Sequence, residues 1–463
     1  MTIRSKAHAS ALIIVVALLT WWGSFDGSYQ FDDFKVIVDH AGVASLSAWW
    51  LSMPGIRPLL KLSYALNLAW SGGSAEAALL GFHLVNLALH IGNALLLYAI
   101  ALRLLAGKQA ASESTESGAT AALLCALLFV VHPVQTEAVS LISGRSMSLM
   151  TFFYLASLLA YLDRRHGLSW LTFCAAMATR ETAITLPLAL LLVERLRSPE
   201  LPWRDALKHG GGHWLISGLA AIALLLLPSF RHLASVSLET RPLFDNLISQ
   251  SAAVLYLLKQ VLWPSRLNAD PVLPLFTSWT LFWAVSVGLY LILISSAVLA
   301  WRKPGLARWT GFGLLWFWLH LAPTNSLLPR LDLANERHLY LANAGLFLLA
   351  ALWLGRAFQS RPRRLAAASA ALLIGLALAT HTRNQVYQNE VIFWTDVSIK
   401  SPSNSRAFNN LGYALANNGE PEAALAAYDQ ALRLTPNDFT ALLNRRALCR
   451  TLTDEVCSNK AKH

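Results

Sequence analysis

The sequence carries little charge. Only 14% of its 463 residues are Asp, Glu, Lys or Arg, against roughly 25% in soluble globular proteins. Hydrophobic residues make up 55% of the chain, Trp occurs 17 times, and the mean hydropathy is +0.46. This composition excludes an ordinary soluble domain and predicts a polytopic membrane protein.

Cysteine is also scarce, with four residues in the chain. The four do not have the spacing of a metal site, and Cys125 and Cys174 lie in apolar runs. Cys449 and Cys457 could pair only if the C-terminal tail lies outside the cytoplasm and bends back, and we expect free thiols. The sequence has no glycine-rich phosphate loop of the nucleotide-binding type.

The net charge of +11 would suggest a nucleic-acid partner in a soluble protein. Here Lys and Arg cluster at alternate turns between apolar runs, which is the positive-inside pattern of membrane proteins. An odd number of crossings follows, with the N-terminus in the cytoplasm and the C-terminus outside. We predict eleven crossings, at residues 8–24, 77–104, 119–134, 147–163, 167–179, 182–195, 213–230, 280–301, 308–323, 341–356 and 365–381.

One apolar segment, residues 246–263, is left out of this count. If it crossed the membrane, Arg302 and Lys303 would lie outside, against the charge pattern. We therefore predict that it lies along the outer interface.

The first outer loop, residues 25–76, is too long for a simple connector. It carries the adjacent acids Asp32 and Asp33 just after the first crossing. Neighbouring carboxylates raise the pKa of at least one of them, and a carboxylate beside an apolar surface can accept a proton from a hydroxyl group. The two acids are candidates for a general base, the alternative being a solvated polar loop. Residues 44–53 and 58–70 are predicted to form two short helices on the membrane surface.

The second crossing carries a polar stripe. His83, Asn86, His90 and Asn93 follow one another at steps of three and four, which places them on one helical face. Polar residues at membrane depth either bond neighbouring helices or line a cavity. Interhelical bonding is the commoner use, and both interpretations stay open. We include His83, Asn86 and His90 among the candidate cavity-lining residues.

Two outer turns, 132–146 and 325–340, are dense in polar groups. We add His132, Glu137 and Glu336 to the candidate cavity lining. A guanidinium can make a paired contact with phosphate oxygens, which makes Arg145 and Arg337 candidate phosphate ligands. For Arg145 the alternatives are an ion pair with Glu137 or a contact with lipid headgroups.

A third candidate phosphate ligand is Arg180. With Glu181 it interrupts an apolar stretch between two short runs, and Pro187 follows nearby. The two residues suit either a mutual ion pair or a helix break that lines a cavity.

After the last crossing the composition changes. Gly412, Ala424, Tyr428 and Pro436 fall at the characteristic positions of a tetratricopeptide repeat over residues 405–436. Residues 384–402 have the pattern of a preceding half-repeat, and 439–451 that of a following one. We therefore predict an all-α protein with a membrane helical bundle at 1–383 and a short repeat stack at 384–463.

Several segments carry a family resemblance. They are Phe31-Asp32-Asp33, Arg57-Pro58, Phe82-His83-Leu84-Val85-Asn86 with His90, residues 132–139 and 143–145, and Glu336-Arg337-His338-Leu339-Tyr340, ahead of the repeats. Together they resemble the transmembrane and tetratricopeptide-repeat O-mannosyltransferases and their bacterial relatives, which are integral-membrane glycosyltransferases of the GT-C fold. The resemblance covers nearly the whole chain, and the run 132–137 is its most specific part.

The resemblance implies transfer of a sugar such as mannose from a polyprenyl-phosphate carrier to a hydroxyl acceptor, with inversion. It implies that Asp32 or Asp33 is the base, that the lipid phosphate is the leaving group, and that a protein acceptor engages the repeats. No cofactor beyond this membrane lipid donor is expected. Some relatives of the fold use a divalent metal, but the two acids have no other obvious ligands here.

The short chain with modest loops favours a bacterial inner membrane, with the active site and repeats in the periplasm. An endoplasmic-reticulum protein would have the same topology. Two alternatives stay open: transfer to a lipid or polysaccharide acceptor, and a non-catalytic scaffold whose repeats bind a periplasmic protein. The family's longer members carry many more repeats than this chain does.

Overall fold

The computed structural model describes residues 3–53, 55–106, 115–275, 280–325 and 329–452. Its regular elements are helices, as the sequence predicts. The first part of the chain forms α1 (Ile3–Trp21), α2 (Leu46–Leu51), α3 (Pro58–Trp70), α4 (Ala75–Leu105), α5 (Thr115–Val131), α6 (Thr136–Val139), α7 (Arg145–Leu162), α8 (His166–Thr179), α9 (Leu186–Arg197) and α10 (Trp203–His209).

The remainder forms α11 (Gly211–Leu226), α12 (Pro228–Thr240), α13 (Leu243–Leu262), α14 (Thr280–Arg302), α15 (Leu306–Leu321), α16 (Leu339–Ala357), α17 (Pro362–Asn384), α18 (Glu390–Lys400), α19 (Ser405–Asn417), α20 (Pro421–Leu434) and α21 (Phe439–Cys449). The predicted outer helix at 58–70 coincides with α3. The other, predicted at 44–53, is reduced to α2.

Within the described residues, five helical segments are long and apolar enough to cross a membrane: Ser5–Asp26, Ala75–Leu105, Ile142–Leu162, Glu336–Ala357 and Pro362–Tyr387. Two bent helix pairs raise the number to seven if each pair forms one span. The predicted crossings at 167–179, 182–195 and 308–323 correspond to α8, α9 and α15, which are shorter than the roughly twenty residues of a straight crossing. The membrane character is confirmed, and the count of eleven stays a prediction.

The centre of the bundle is formed by α4, α5, α7, α15 and α16, whose facing side chains are buried in one continuous apolar core. Small residues allow α15 and α16 to approach closely. A Cβ atom added to Gly345 would lie 2.7 Å from the carbonyl oxygen of Gly313. Such backbone contact is typical of membrane helix pairs, where packing and hydrogen bonds hold helices together.

The polar stripe on α4 is used for bonds between elements. His83 Nε2 lies 3.0 Å from a carbonyl oxygen of the first outer loop, and Asn86 donates to the carbonyl of Val139, the last residue of α6, at 3.1 Å. His90 Nδ1 and the Asn93 amide both contact the Tyr340 hydroxyl, at 2.8 and 3.1 Å. The geometry therefore favours the interpretation that the stripe bonds neighbouring elements, and the assignment of His83, Asn86 and His90 to a cavity lining stays a prediction.

Helix α13 contains the segment left out of the crossing count. Near its start, Gln250 accepts a hydrogen bond of 2.9 Å from Asn325, which lies in one outer turn. Near its end, the carbonyl of Val261 lies 3.0 Å from Nε2 of His132, which lies in another. Contacts with turns of the same side at both ends favour the interfacial interpretation, which stays a prediction.

The C-terminal helices form the expected repeat stack. α19 and α20 are joined at Gly419, whose φ of +80° is readily adopted only by glycine. At Gly412 a Cβ atom would lie 2.7 Å from the Tyr428 ring, so the small residue lets the two helices touch. α18 precedes the repeat and α21 follows it, as predicted from the flanking half-repeats.

The cysteines match the expectation in part. Cys125 and Cys174 are free thiols. Cys449 is disulfide-bonded, so the expectation of a free thiol was wrong at this position. Cys457 lies outside the described residues.

Candidate active site

The two adjacent acids of the first outer loop differ in their surroundings. The Asp33 side chain is 0% exposed, and both of its oxygens accept backbone N–H groups, Oδ2 from Gln30 at 3.0 Å and Oδ1 from Ser143 at 2.6 Å. Burial raises the pKa of Asp33 to about 6, and the neighbouring Asp32 is the smallest contribution. Asp33 therefore ties the loop to the turn after α6.

Asp32 remains accessible, with 35% of its side chain exposed. Its Oδ2 accepts a hydrogen bond of 2.7 Å from Nη2 of Arg337. The same arginine donates its backbone N–H to Oε2 of Glu137 at 2.9 Å, and its Nε lies 3.6 Å from Oε1 of that residue. The predicted residues Asp32, Glu137 and Arg337 thus form one contiguous cluster at the outer end of the bundle.

Arg145 is placed differently from the prediction. It is 0% exposed, and its guanidinium donates to the side-chain oxygens of Asn86 and Asn67 at 2.7 and 2.5 Å. Two backbone carbonyls also accept from it, and the rings of Tyr64 and Phe82 flank it at 5.1 and 5.2 Å. With its donors engaged in this way, Arg145 joins the outer loop to α4, and the geometry speaks against a phosphate contact.

Arg180 and Glu181 do not pair with each other. Glu181 accepts two hydrogen bonds from Arg57, at 3.0 and 2.6 Å. Partial burial raises the pKa of this carboxyl, but Arg57 with its other neighbours outweighs burial and holds the pKa well below its usual range. Arg180, 4% exposed, donates to the Ser146 hydroxyl at 2.7 Å, and its buried Nε has no partner among the described residues. The chain is extended at Arg180, so the predicted helix break is present.

Four arginines, Arg57, Arg180, Arg330 and Arg337, lie near one another, and Arg337 among them bonds Asp32. Burial, followed by the charge of Arg57 and then of Arg330 and Arg337, lowers the pKa of Arg180 well below its ordinary value. Burial is likewise the largest cause of the lowered pKa of Arg330, with Arg57 and Arg337 acting in the same direction. Like charges this close disfavour one another's charged forms. A bound anion would relieve this repulsion.

The cluster extends inwards to a second group of buried polar residues. Glu336 accepts a backbone hydrogen bond of 2.6 Å from Asn268, while its other oxygen has no partner among the described residues. Buried atoms of Gln135, Arg383 and Tyr387 are also unsatisfied in the described part of the chain. His132 is excluded from this group, because its ring caps the following turn and contacts α13. Of the predicted cavity residues, Glu137 and Glu336 remain beside the site.

A small cavity lies beside the arginines, between α7, α15 and α16. Its lining mixes apolar side chains with a few polar ones: Met147, Met150, Thr182, His320, Thr324, His338 and Leu341. Thr182 is two residues from Arg180, and His338 follows Arg337, so the cavity adjoins the arginine cluster. In the described part of the chain, no group of three or more His, Cys, Asp or Glu residues is arranged to hold a metal ion.

Sequence reasoning did not single out Arg57 or Arg330 as site residues. Arg57 entered the sequence analysis as part of the Arg57-Pro58 motif, without a role in the site, and it adopts a left-handed backbone with φ of +58° immediately before Pro58. The signal was available in part, because a residue before proline is kept out of the helical region. Arg330 could not be chosen over other outer arginines without knowing which turns meet.

Comparison with known proteins gives two results. Residues 405–438 match the model of the tetratricopeptide repeat. The chain is 28% identical over 520 residues to "Protein O-mannosyl-transferase Tmtc3" of Drosophila melanogaster, covering 93% of this chain and 56% of the relative. It is 24% identical to "Protein O-mannosyl-transferase TMTC4" of Homo sapiens, covering 91% of this chain and 65% of the relative.

A third relative is "Protein O-mannosyl-transferase F38B6.6" of Caenorhabditis elegans, at 24% identity over 94% of this chain and 64% of the relative. The chain thus spans between about half and two thirds of the length of these relatives. The resemblance drawn from the outer-loop motifs is confirmed: over nine tenths of its length, the chain is similar to proteins named protein O-mannosyl-transferases.

Proposed function

We propose that the protein is a membrane glycosyltransferase that moves mannose from a polyprenyl-phosphate donor to a hydroxyl group of a protein acceptor. The observation that carries the proposal is the accessible Asp32 carboxylate beside a cluster of four arginines, two of which have no carboxylate partner among the described residues. An acid next to unpaired cations suits a reaction in which a hydroxyl loses a proton while a phosphate departs.

In the proposed reaction Asp32 accepts the proton of the acceptor hydroxyl. The hydroxyl oxygen attacks the anomeric carbon of the sugar, the bond from that carbon to the phosphate oxygen breaks, and the configuration inverts. The donor phosphate carries one negative charge as a diester and gains another on departure. Arg180 and Arg330 are the guanidinium groups available to stabilise that added charge, because Arg57 is paired with Glu181.

Asp33 is the less suitable base. Both of its oxygens already accept backbone hydrogen bonds, and no part of it is exposed to an acceptor. Arg337 in turn orients Asp32, since it bonds one carboxylate oxygen and leaves the other with no hydrogen bond to the described residues.

A protein acceptor is supported by the repeat match and by the names of the relatives. We also propose that the site and the repeats face the periplasm of a bacterial inner membrane. The disulfide at Cys449 supports an oxidising compartment for the repeats. Transfer to a lipid acceptor would use the same base and arginines, and the experiment below distinguishes it by the product formed.

The test is sugar transfer in nanodiscs from polyprenyl-phosphate mannose, with products analysed by mass spectrometry. Asp32→Asn is expected to lower kcat by about 10² to 10⁴-fold. Asp39→Asn is the matched control, because Asp39 is an exposed acid of the same loop. Wild-type turnover in Asp32→Asn would overturn the assignment of the base. Absence of transfer by the wild type to any peptide, lipid or polysaccharide acceptor would favour the scaffold.

A further inference from the structure

The residue before the candidate base has an unusual backbone. Phe31 has a φ of +48°, in the left-handed region that side-chain-bearing residues disfavour. Among the described non-glycine residues, only Phe31, Arg57 and Arg164 have positive φ, and the first two lie in the candidate site. A conformation of this kind persists only where the surroundings hold it.

Two side chains of the repeat stack contact the Phe31 ring. The indole of Trp394, on α18, meets the Phe31 ring edge to face at 5.4 Å between centroids, with an interplanar angle of 81°. The guanidinium of Arg406, on α19, lies over the same ring at 5.5 Å. Edge-to-face and cation-to-ring contacts both depend on direction, so two repeat helices fix the position of the ring from two sides.

Arg406 is itself anchored to the membrane domain. Its Nε donates to Oδ2 of Asp270 at 2.8 Å, and its Nη2 to Oδ1 of Asp332 at 2.7 Å. Asp332 lies two residues after Arg330. One guanidinium therefore connects the repeat stack with the loop of the base and with the loop of a proposed phosphate ligand.

The other side of the loop is held by the membrane domain and by the segment after α17. Asp33 accepts the backbone N–H of Ser143, and Ser28 donates its backbone N–H to the carbonyl of Tyr387 at 3.3 Å. Residues 28–33 are thus enclosed by fixed contacts, while the Asp32 carboxylate in their midst remains exposed. A purely structural junction would not require an accessible acid at its centre.

We infer that Trp394 and Arg406 are positioning residues for Asp32, and that the first repeat helices are an integral part of the active site. This rests on the proposed function. The repeats hold the backbone at Phe31 in its left-handed conformation, which aims Asp32 at the reacting hydroxyl. Displacement of the repeat stack moves the base and, through Asp332, the Arg330 loop together.

The decisive experiment compares substitutions at Phe31 and Trp394 in the full-length protein in nanodiscs. Trp394→Ala is expected to lower kcat about tenfold or more, with the donor KM unchanged, because a misplaced base slows chemistry. Trp394→Phe should restore most of the rate. Phe31→Gly should retain more activity than Phe31→Ala, since glycine adopts positive φ without contacts that hold it there.

The double variant gives the sharpest result. In the Phe31→Gly background, Trp394→Ala should lower kcat less than threefold, because the ring that Trp394 contacts is already absent. Equal losses in both backgrounds, or a change confined to the donor KM, would overturn the inference. Phe439→Ala is the control, because it also removes an aromatic side chain from the repeat stack, but at an exposed position on α21.

Hydrogen–deuterium exchange separates failure of this inference from failure of the proposed function. Trp394→Ala should increase amide exchange in residues 28–35 relative to the wild type, whether or not transfer is detected. If the wild type is inactive and Trp394→Ala still increases exchange in residues 28–35, the proposed function fails, but the repeats do hold the loop. If the wild type is active and exchange in this segment is unchanged by Trp394→Ala, only the inference about the repeats fails.

Discussion

Arg145 and Arg180 lie near the same end of the helical bundle, and both side chains are buried. Around Arg145, four oxygens and two aromatic rings surround one guanidinium. Around Arg180, the buried Nε has no partner in the described chain, and three further arginines repel it. A guanidinium whose three nitrogens all donate to protein oxygens is typical of a structural group, whereas a buried donor without a protein partner leaves room for a water molecule or a ligand.

The largest expected effect on stability comes from Arg145→Met. Its removal leaves the oxygens of Asn86 and Asn67 without their partner, and each orphaned buried acceptor costs about 1 kcal/mol or more. We expect the free energy of unfolding to fall by roughly 3 kcal/mol, measured as a lower thermal midpoint in detergent. An unchanged midpoint would remove the basis for calling this region structural.

Asp33 extends the comparison to pH. Its folded-state pKa of about 6 lies above the ordinary value of 3.8, so the folded protein binds this proton more tightly than the unfolded chain. The contribution of Asp33 to stability is therefore greatest below pH 3.8 and is lost as the pH rises to 6, by about 3 kcal/mol. Thermal midpoints of the wild type and Asp33→Asn should diverge across this window. Parallel profiles would contradict the raised pKa.

Arg180→Met, the same substitution at the other arginine, is expected to act on catalysis. We expect kcat to fall about 100-fold, because the group that we propose stabilises the departing phosphate is lost. The thermal midpoint should stay equal or rise, since a buried cation without a carboxylate partner is removed. A fall in stability as large as that of Arg145→Met would break the distinction between the two regions.

The smallest effect is expected for Glu181→Gln. Its pair with Arg57 is well formed, but the two side chains are 24% and 31% exposed, so solvent screens the interaction. The loss of stability should be at most about 1 kcal/mol and should shrink in high salt. Thermal midpoints of the wild type and Glu181→Gln at low and high salt check this. A loss that does not depend on salt would show that the pair is shielded from solvent.

The sequence predicted what depends on local pattern. The bounds of α3, the helices and turn of the repeat, and the joint placement of the outer loop and outer turns all follow from apolar periodicity, Gly419 and the distribution of Lys and Arg. Each of these signals lies within a few residues of the element that it specifies.

The pairing of charges could not be predicted in the same way. Arg145 was taken for a phosphate ligand because its partners, Asn67 and Asn86, come from elements about 60 to 80 residues away. Likewise, the choice between Asp32 and Asp33 depends on Ser143 and Arg337, which only the fold brings to them. Sequence reasoning located the residues that meet at the site and missed which of them satisfy one another.

Helices α15 and α16 approach each other closely at Gly313 and Gly345. Two of the three helices that line the cavity touch there, and His320 and Leu341 face the cavity about two turns and one turn further along. A methyl group at Gly345 would lie 2.7 Å from the carbonyl oxygen of Gly313, so it would push the two helices apart and alter the cavity without touching Asp32 or the arginines.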